Sequence, residues 1–346
     1  QAAQKMAGVL LEDVLVSFSG GEPKSYGVVG NTKIAGRPVT EYDIGNALTN
    51  CDIPEYGVSR EVVHALPVNF SLDNRTGLMD PRGHLGEELT VDLHLMTVEK
   101  NIVDNVIQAI SGCHLDLAGL CFAPYLAGTS SLTEDELQLG AACVDLGAGI
   151  SGVTIFLKKQ MVYGGTVAMG GSHVTNDITK AFNISFESAE RIKNLHGGLI
   201  STSRDDRDLI EVINNIHEKI MISRSELIGV IRPRIEEIFE EVSEQLMAAG
   251  FANLANKNVI LTGGASRLPG LFEVASKILD CSVRIGKPLR VQGLPHAANG
   301  PDFAAAVGLA LHAGHPQDEC WDFNVSLAKS GVRKINGVLK WFVENW

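Results

Sequence analysis

Several common sequence signals are missing from this chain of 346 residues. No run of about 18 or more apolar residues occurs, so we expect no membrane-spanning helix. The six cysteines form no CxxC pair, and their scatter is typical of small core residues in a reducing cytosol. No GxxxxGK[ST] motif occurs, so a Walker A phosphate loop is excluded.

Positive charge is also scarce. The 29 Lys and Arg residues are outnumbered by 41 Asp and Glu, and the formal net charge is −12. A general nucleic-acid binder needs a basic face that neutralises phosphates, so we expect no nucleic-acid partner. The composition is otherwise that of a globular protein, with 45% hydrophobic residues, and the length favours about two domains.

The first part of the chain mixes short strand patterns with helical ones. Strands are predicted at 14–18, 62–68 and 89–95 from their apolar and alternating residues. A helix is predicted from about Glu99 until Gly112 stops it. Another is predicted between Leu115 and the next strand, carrying Pro124.

The second part is predicted as strands followed by helices. The strands are predicted at 141–145, 153–157 and 258–262. The pattern from Ser185 to Ala249 is helical, with a capping box at Ser223 and Glu226. Pro233 is expected to open a separate helix at its first turn, and a final helix is predicted over 301–312.

Three glycine-rich turns at predicted strand ends carry the main functional signal. They are Asp145-Leu-Gly-Ala-Gly-Ile-Ser151, Met169-Gly-Gly-Ser-His-Val-Thr-Asn-Asp-Ile178 and Leu261-Thr-Gly-Gly-Ala-Ser-Arg-Leu-Pro-Gly270. Glycines let backbone N–H groups approach phosphate oxygens without a Cβ in the way. An aspartate at a strand end suits a hydrated Mg²⁺, which needs few protein ligands. Each turn taken alone is equally compatible with an ordinary hairpin or a strand-to-helix connection.

Taken together and in this order, the turns resemble the nucleotide-binding turns of the actin/Hsp70/sugar-kinase superfamily. They are similar to its second phosphate loop, its ribose-side turn and its adenosine motif. Within that superfamily, the chain resembles the bacterial cell-division family FtsA over nearly its whole length. Further segments that resemble FtsA are 188–197, 231–237, 283–288 and 304–309.

The resemblance implies an α/β, actin-like (ribonuclease-H-like) two-lobed ATPase fold with an FtsA-type subdomain 1C. The division it implies is, in chain order, a remnant of subdomain 1A at 1–23, an SHS2-like subdomain 1C at 24–95, subdomain 1A at 96–140, subdomain 2A at 141–180, subdomain 2B at 181–257, subdomain 2A again at 258–300, a terminal 1A helix at 301–314, a linker at 315–331 and an amphipathic membrane-targeting helix at 332–346.

The resemblance also assigns roles to individual residues, with ATP and Mg²⁺ as the ligands. Asp145 is expected to bind Mg²⁺ through water. The backbone at Gly147 and Gly149 is expected to hold the terminal phosphates, with Ser151 nearby. The residues expected along the ribose and base are Gly171, Glu190 and Lys193, and those flanking the nucleoside from the other side are Gly263, Gly264 and Ser266.

The chain departs from the family pattern at three places. The first phosphate loop has no counterpart, and the sequence begins at Gln1 in the middle of a helical pattern, so we expect an N-terminally truncated chain. Ile150 replaces a hydroxyl residue often found in the second loop. Ala123 falls at the position of the residue that orients the attacking water, and alanine cannot do this. We therefore expect weak ATPase activity or none.

The last 15 residues, 332–346, are predicted to form an amphipathic helix. The residues expected to bind a membrane surface are Val332, Ile335, Leu339, Trp341, Phe342 and Trp346. Arg333, Lys334 and Lys340 are suited to anionic headgroups. A helix that packs on its own domain or on another subunit is the alternative.

The favoured function is an ATP-binding, polymerising membrane tether for the FtsZ ring that recruits later divisome proteins. The expected partners are FtsZ, other copies of the chain, divisome proteins and an anionic membrane, at the cytoplasmic face of the plasma membrane at the division site. The alternatives are a PilM-like pilus-assembly ATPase and a small-molecule kinase of the same superfamily. No motif for a kinase's general-base aspartate is evident.

Overall fold

The computed structural model describes residues 2–8, 10–53, 59–254, 256–289, 291 and 293–314. These residues divide into two compact units. The first takes its described residues from Gln1–Leu126, Leu157–Gly164 and Leu309–Trp346, and the second from Ala127–Phe156 and Gly165–Gly308. The predicted membrane helix, 332–346, lies outside the described residues.

The helices and strands up to residue 122 belong to the first unit. In chain order they are α1 (Ala2–Ala7), β1 (Asp13–Phe18), β2 (Lys24–Lys33), α2 (Glu41–Thr49), β3 (Arg60–Leu72), β4 (Arg75–Leu78), β5 (Glu88–Glu99), α3 (Lys100–Ser111) and β6 (Asp116–Phe122). The predicted strands at 14–18, 62–68 and 89–95 are confirmed, and so is the helix that Gly112 ends.

A four-stranded antiparallel sheet in the order β2-β5-β3-β4 dominates the first unit. On β5 the side chains of Leu89, Val91, Leu93 and Leu95 point to one face, because successive residues alternate across a strand. They join a buried cluster to which α2 contributes Leu48. This face is the core of the sheet.

The predicted helix that carries Pro124 is confirmed, but a strand that was not predicted lies between Leu115 and the start of the helix. Residues Asp116–Phe122 form β6, which pairs in parallel with β1. Leu117, Leu120 and Phe122 are buried, and burial on both faces favours the strand. The helix that carries Pro124 begins only at Ala123, so the proline lies in its first turn, where a missing N–H costs little.

The remaining elements lie between residues 123 and 314. They are α4 (Ala123–Ser131), α5 (Glu134–Leu139), β7 (Ala141–Leu146), β8 (Ser151–Leu157), β9 (Gln160–Val167), α6 (Gly171–Phe182), α7 (Phe186–His196), β10 (Leu209–Ile213), β11 (Lys219–Ser223), α8 (Arg224–Ala248), β12 (Asn258–Thr262), α9 (Leu271–Leu279), β13 (Ser282–Ile285) and α10 (Ala304–Gly314). Single 3₁₀ turns follow α8 and β12 and precede α10.

In the second unit, strands β13, β12, β7 and β8 lie side by side in that order within one sheet. Strands β13, β12 and β7 are parallel, and β7 pairs antiparallel with β8. The register places Thr262, the last residue of β12, directly beside Asp145 of β7. Two of the glycine turns therefore leave the sheet at the same edge.

The prediction that all of 185–249 is helical is wrong at its centre. Residues Leu209–Ile213 and Lys219–Ser223 form an antiparallel hairpin. Ile210 and Val212 are buried, whereas Leu209 and Ile213 are exposed. This alternation has the period of two that is typical of a strand. In a segment this short, the sequence alone does not distinguish a strand from a helix.

Pro233 does not open a separate helix, contrary to the prediction. Helix α8 runs from Arg224 to Ala248 with Pro233 inside it. Its predicted capping box is confirmed, since Ser223 accepts from the Glu226 N–H and Glu226 accepts from the Ser223 N–H. Residues on both sides of the proline are buried, and this packing compensates for the lost helical hydrogen bond. Among the described residues, no helix is long and apolar enough to cross a bilayer.

Candidate functional site

The three glycine turns meet in the second unit. The link between the first two is made by the N-terminus of α6, where the Gly171 N–H donates to the Gly147 carbonyl at 2.9 Å. The next N–H, from Ser172, donates to the Ala148 carbonyl at 2.7 Å. A Cβ on Gly170 would lie 2.6 Å from the Gly147 carbonyl oxygen, so only glycine permits this approach. Two of the N–H groups that a helix leaves free are thereby used.

The third turn contacts the first at Gly263. This residue has a φ of +82°, a conformation that favours glycine. An added Cβ would lie 2.4 Å from the Leu146 carbonyl oxygen and 2.7 Å from Oδ1 of Asp145. The Gly263 N–H donates to the Pro301 carbonyl at 2.9 Å, which holds the turn from its other side.

The free backbone donors of the first turn differ from the expected ones. The Gly147 N–H donates inside the hairpin to the Ile150 carbonyl at 3.1 Å. Ala148 and Gly149 are exposed, and within the described part of the chain their N–H groups donate no hydrogen bond. The hydroxyl of Ser151 is buried and donates to the Met169 carbonyl at 2.7 Å. The donors available to a ligand are therefore those of Ala148 and Gly149.

Asp145 is partly buried at the end of β7. Its Oδ1 accepts a hydrogen bond from the Thr262 hydroxyl at 3.3 Å. Burial raises the pKa of this carboxyl to about 6, and the Thr262 hydrogen bond opposes that rise without cancelling it. A carboxylate that has lost water and gained one weak hydrogen bond has unused capacity for a cation.

Glu190 and Lys193 of α7 form an ion pair against α6. The Lys193 Nζ lies 2.7 Å from Oε2 of Glu190 and 3.1 Å from the Gly171 carbonyl oxygen. Burial would raise the pKa of Glu190, but hydrogen bonds from Lys193 and Thr175 outweigh it and lower the pKa below its ordinary value. The structure therefore places Gly171, Glu190 and Lys193 together.

A pocket of about 400 Å³ lies beside these groups in the second unit. Three residues of the predicted site line it, namely Gly171, Lys193 and Gly264. The lining residues that sequence reasoning did not single out are Val174, Asn194, Ile235, Ala265, Arg267, Leu268, Pro269 and Asp302. Four of these, namely Ala265, Arg267, Leu268 and Pro269, lie within the glycine motif at 261–270. The motif itself was therefore a signal that could have indicated them.

Two further predicted positions have a structural environment of their own. Ser266 is buried and donates its hydroxyl to the Gly263 carbonyl at 2.7 Å, so it supports the turn. Ala123 is the buried first residue of α4, directly after β6. Its assignment to the water-orienting position stays a prediction.

Comparison with solved structures defines the class of fold. The chain is similar to a PilM-PilN type IV pilus biogenesis complex, with a TM-score of 0.58 and 18% identity over 91% of this chain and 85% of that one. It is also similar to MreB 5 of Spiroplasma citri bound to AMPPNP, with a TM-score of 0.50 and 16% identity over 67% of each chain. The fold is that of the actin-like ATPases.

Sequence comparison identifies the family within that class. The family model described as "Cell division protein FtsA" matches residues 142–308, and that of the "SHS2 domain inserted in FTSA" matches residues 20–97. A cell division protein FtsA of Rhizobium meliloti (strain 1021) is 35% identical over 90% of this chain and 71% of the relative. The chain belongs to the FtsA family of cell-division proteins.

Proposed function

We propose that the second unit binds ATP with Mg²⁺ at the pocket beside its three glycine turns. The observation that carries this proposal is the convergence of Asp145, the free N–H groups of Ala148 and Gly149, and the Gly171–Lys193 wall in one unit. Oriented backbone N–H groups favour phosphate oxygens, and a pocket of about 400 Å³ has the size of typical small-molecule sites.

Each predicted residue has a role in this proposal. The N–H groups at Ala148 and Gly149 hold the terminal phosphates, while Gly147 and Ser151 shape the loop that presents them. Glu190 and Lys193 lie along the ribose. Gly264 and Gly171 leave space for the nucleoside, and Gly263 and Ser266 support the turn beneath it.

The residues present fit a magnesium ion held largely by water. Among the described residues, no group of three or more His, Cys, Asp or Glu side chains could hold a metal ion. Asp145 offers one carboxylate with spare acceptor capacity, and Mg²⁺ commonly uses one or two carboxylates with waters and phosphate oxygens. When bound, the ion would neutralise phosphate charge.

At the level of the cell, the proposal is a polymerising membrane tether for the FtsZ ring that recruits later divisome proteins. It is supported by membership of the FtsA family and by the amphipathic pattern of 332–346. At about 1.5 Å per residue such a helix is too short to cross a core of about 30 Å, so it would lie in the interface. Polymerisation would join many weak anchors into one strong attachment.

The subdomain division predicted from the sequence is part of the proposal. Residues 24–95 would be subdomain 1C, 181–257 subdomain 2B, and the flanking segments 1A and 2A as given above. Location at the cytoplasmic face of the plasma membrane, at the division site, follows from the tether. ATP would serve assembly more than turnover, because Ala123 cannot orient water.

The nucleotide site is tested by calorimetry with ATP, with and without Mg²⁺, on the wild-type chain and three variants. Asp145→Ala is expected to remove the Mg²⁺-dependent part of the affinity. Gly264→Val is expected to block the pocket while leaving the fold intact, because an added Cβ there meets no atom within 4 Å. Gly27→Val is the matched control in β2, where an added Cβ also meets nothing within 4 Å. Unchanged affinity in both site variants would refute the site.

The membrane tether is tested by co-sedimentation with vesicles of anionic and of neutral lipid. The intact chain is expected to sediment with anionic vesicles, and both a Trp341→Glu/Phe342→Glu variant and a chain ending at Lys329 are expected to stay in solution. Asn336→Gln is the control within the same segment. Equal sedimentation of all chains would mean that the segment packs on protein.

The rival functions are separated by turnover measurements. The likeness to the PilM-PilN complex, at 18% identity, shows the fold alone. ATP hydrolysis that depends on an added sugar would favour a kinase. Slow hydrolysis, far below the roughly 10 per second of a typical enzyme, is expected here.

A further inference from the structure

A threonine that the predicted site does not include lies at the centre of the α6–α7 contact. Thr175 is fully buried, one helical turn after Gly171 on α6. Its Oγ1 lies 2.5 Å from Oε2 of Glu190, 2.8 Å from Nζ of Lys193 and 3.0 Å from the Gly171 carbonyl oxygen. One hydroxyl therefore contacts three groups that the proposed function places along the nucleoside.

The hydrogen bonds of this cluster follow from which groups can donate. An ammonium only donates and has three hydrogens, and Lys193 has three acceptors within reach: Thr175, Glu190 and the Gly171 carbonyl. Oγ1 of Thr175 therefore accepts from Lys193. Its own single hydrogen goes to Glu190, which is the nearer of its two acceptors and the charged one.

This arrangement places Glu190 between Lys193 and Asn194, which both line the pocket. Its Oε2 accepts from both Thr175 and Lys193, whereas its Oε1 accepts from the side-chain amide of Asn194 at 3.2 Å. The Glu190 side chain is 39% exposed and that of Lys193 only 13%. The carboxylate is thus held by two donors at Oε2 and by only one donor, the Asn194 amide, at Oε1.

The rotamer of Thr175 is itself restricted. Threonine is branched at Cβ, which restricts its side-chain rotamers in a helix, and Oγ1 lies 3.0 Å from the Gly171 carbonyl oxygen four residues earlier. The hydroxyl is buried and the helix fixes its position. Its hydrogen bonds therefore orient the Glu190–Lys193 ion pair relative to α6.

We propose that Thr175 is a positioning residue that orients Glu190 to accept hydrogen bonds from the ribose hydroxyls of a bound nucleotide. The role rests on the proposed nucleotide site. A carboxylate fixed in this way distinguishes ATP from 2′-deoxy-ATP, because the deoxy analogue lacks the 2′-hydroxyl and donates one hydrogen bond fewer. The orienting hydroxyl, and not only the volume of the side chain, is required.

The test uses two substitutions in the full chain. Thr175→Val keeps the branched shape and removes the hydroxyl, whereas Thr175→Ser keeps the hydroxyl and removes the methyl group. For each chain, the affinities for ATP and for 2′-deoxy-ATP are measured by calorimetry, with thermal unfolding of the ligand-free chain as the control for folding.

The wild-type chain is expected to prefer ATP over 2′-deoxy-ATP by about tenfold, the effect of one good hydrogen bond. Thr175→Val is expected to lose this preference by weakening ATP alone, and Thr175→Ser to keep it. Equal weakening of both nucleotides by Thr175→Val would reveal a merely structural role and overturn the proposal.

The failure of this proposal is distinguishable from failure of the nucleotide site. A wild-type chain that binds ATP and 2′-deoxy-ATP equally well overturns ribose recognition and leaves the nucleotide site in place. A wild-type chain that binds neither overturns both.

Discussion

The two units differ in how their buried polar side chains are satisfied. In the second unit, the buried hydroxyls of Ser151, Thr175, Thr262 and Ser266 each have a hydrogen-bond partner. Among the described residues, the buried side-chain nitrogen and oxygen atoms without a partner all lie in the first unit. They are both ring nitrogens of His94 and Oδ1 of Asn69.

The polar side chains of the second unit form a network that supports the candidate site, whereas the unpaired ones of the first unit are only packed in its interior. Unpaired buried polar atoms lower stability, since they lose their bonds to water and gain nothing. His94 lies on β5 between Gly27 of β2 and Leu66 of β3, in the interior of the four-stranded sheet. In the second unit, the hydroxyls of Ser151, Thr262 and Ser266 instead bond residues of the glycine turns, and that of Thr175 bonds Glu190.

Acid is expected to act on the two regions in opposite directions. Burial, aided by the nearby His64, lowers the pKa of His94 to about 3. The unfolded chain then binds a proton that the folded chain refuses, so stability falls as the pH falls below about 6.5. Burial raises the pKa of Asp145 to about 6. Here the folded chain binds the proton first, so this contribution to stability rises as the pH falls from about 6 to about 4.

The largest expected effect tests whether the turn network tolerates any change. Gly263→Ala makes the existing φ of +82° strained, because alanine rarely adopts it, and adds a Cβ that would lie 2.4 Å from the Leu146 carbonyl oxygen. We expect a loss of at least about 4 kcal/mol in the free energy of unfolding, measured by urea denaturation, because backbone must move.

Gly83→Ala in the first unit is the matched control for that substitution. Gly83 also has a positive φ, of +76°, but an added Cβ meets no atom within 4 Å. We expect a cost of only about 1 kcal/mol from the backbone conformation. Equal costs at both positions would mean that the close approach of Gly263 to Leu146 is not tight.

The second effect concerns the unpaired histidine. His94→Leu removes two unsatisfied nitrogens. It also removes the protonation site that only the unfolded chain uses between about pH 6.5 and pH 3. We expect equal or greater stability near pH 7 and a gain over wild type of about 1.4 kcal/mol for each pH unit below 6.5. Urea denaturation at several pH values measures this slope.

His84→Leu serves as the control because His84 is exposed on the first unit's surface. That variant is expected to keep the wild-type loss of stability in acid. If His94→Leu loses stability in acid as steeply as wild type does, the group responsible lies elsewhere.

Local sequence patterns predicted the elements that depend on local chemistry. The glycine turns, the alternating strand of Leu89–Leu95 and the capping box at Ser223 are each specified by neighbouring residues. The β10–β11 hairpin and the uninterrupted α8 were missed because packing decided between two locally acceptable structures. Ile210 and Val212 are buried by tertiary contacts. The spacing of apolar residues within a strand of five residues does not indicate such contacts.

The candidate site follows the same division. The sequence indicated Asp145, Gly171, Lys193 and Gly264 because they belong to motifs. It could not indicate Thr262, whose position beside Asp145 depends on the register between strands far apart in the chain. That Gly147 donates its N–H inside the hairpin, leaving those of its neighbours free, also requires the folded turn.

The third effect concerns the carboxylate of Asp145 in the second unit. We expect it to lower the stability of the fold and to be required for Mg²⁺-dependent ATP binding. Asp145→Asn removes a charge that burial disfavours, so we expect a gain of about 2 kcal/mol in unfolding free energy near pH 7. The gain should shrink as the pH falls towards 4, where the wild-type carboxyl is protonated. Mg²⁺-dependent ATP binding should be lost in the same variant. A less stable variant at pH 7 would contradict the assigned cost of burial.

The smallest expected effect concerns the hydroxyl beside that carboxylate. The Thr262 hydroxyl donates to Oδ1 of Asp145 at 3.3 Å and lowers its pKa against the effect of burial. Thr262→Val keeps the shape of the side chain and removes the donor, so the pKa of Asp145 should rise further by a fraction of a pH unit. Mg²⁺-dependent ATP affinity, measured between about pH 5 and pH 8, should then begin to fall at a higher pH than in wild type, because Mg²⁺ competes with the proton. Thr262→Ser keeps the donor and should retain the wild-type profile. If both variants shift the profile equally, the methyl packing of Thr262 sets the environment of Asp145. If neither does, the 3.3 Å hydrogen bond contributes nothing, and burial alone distinguishes Asp145 from an exposed carboxylate.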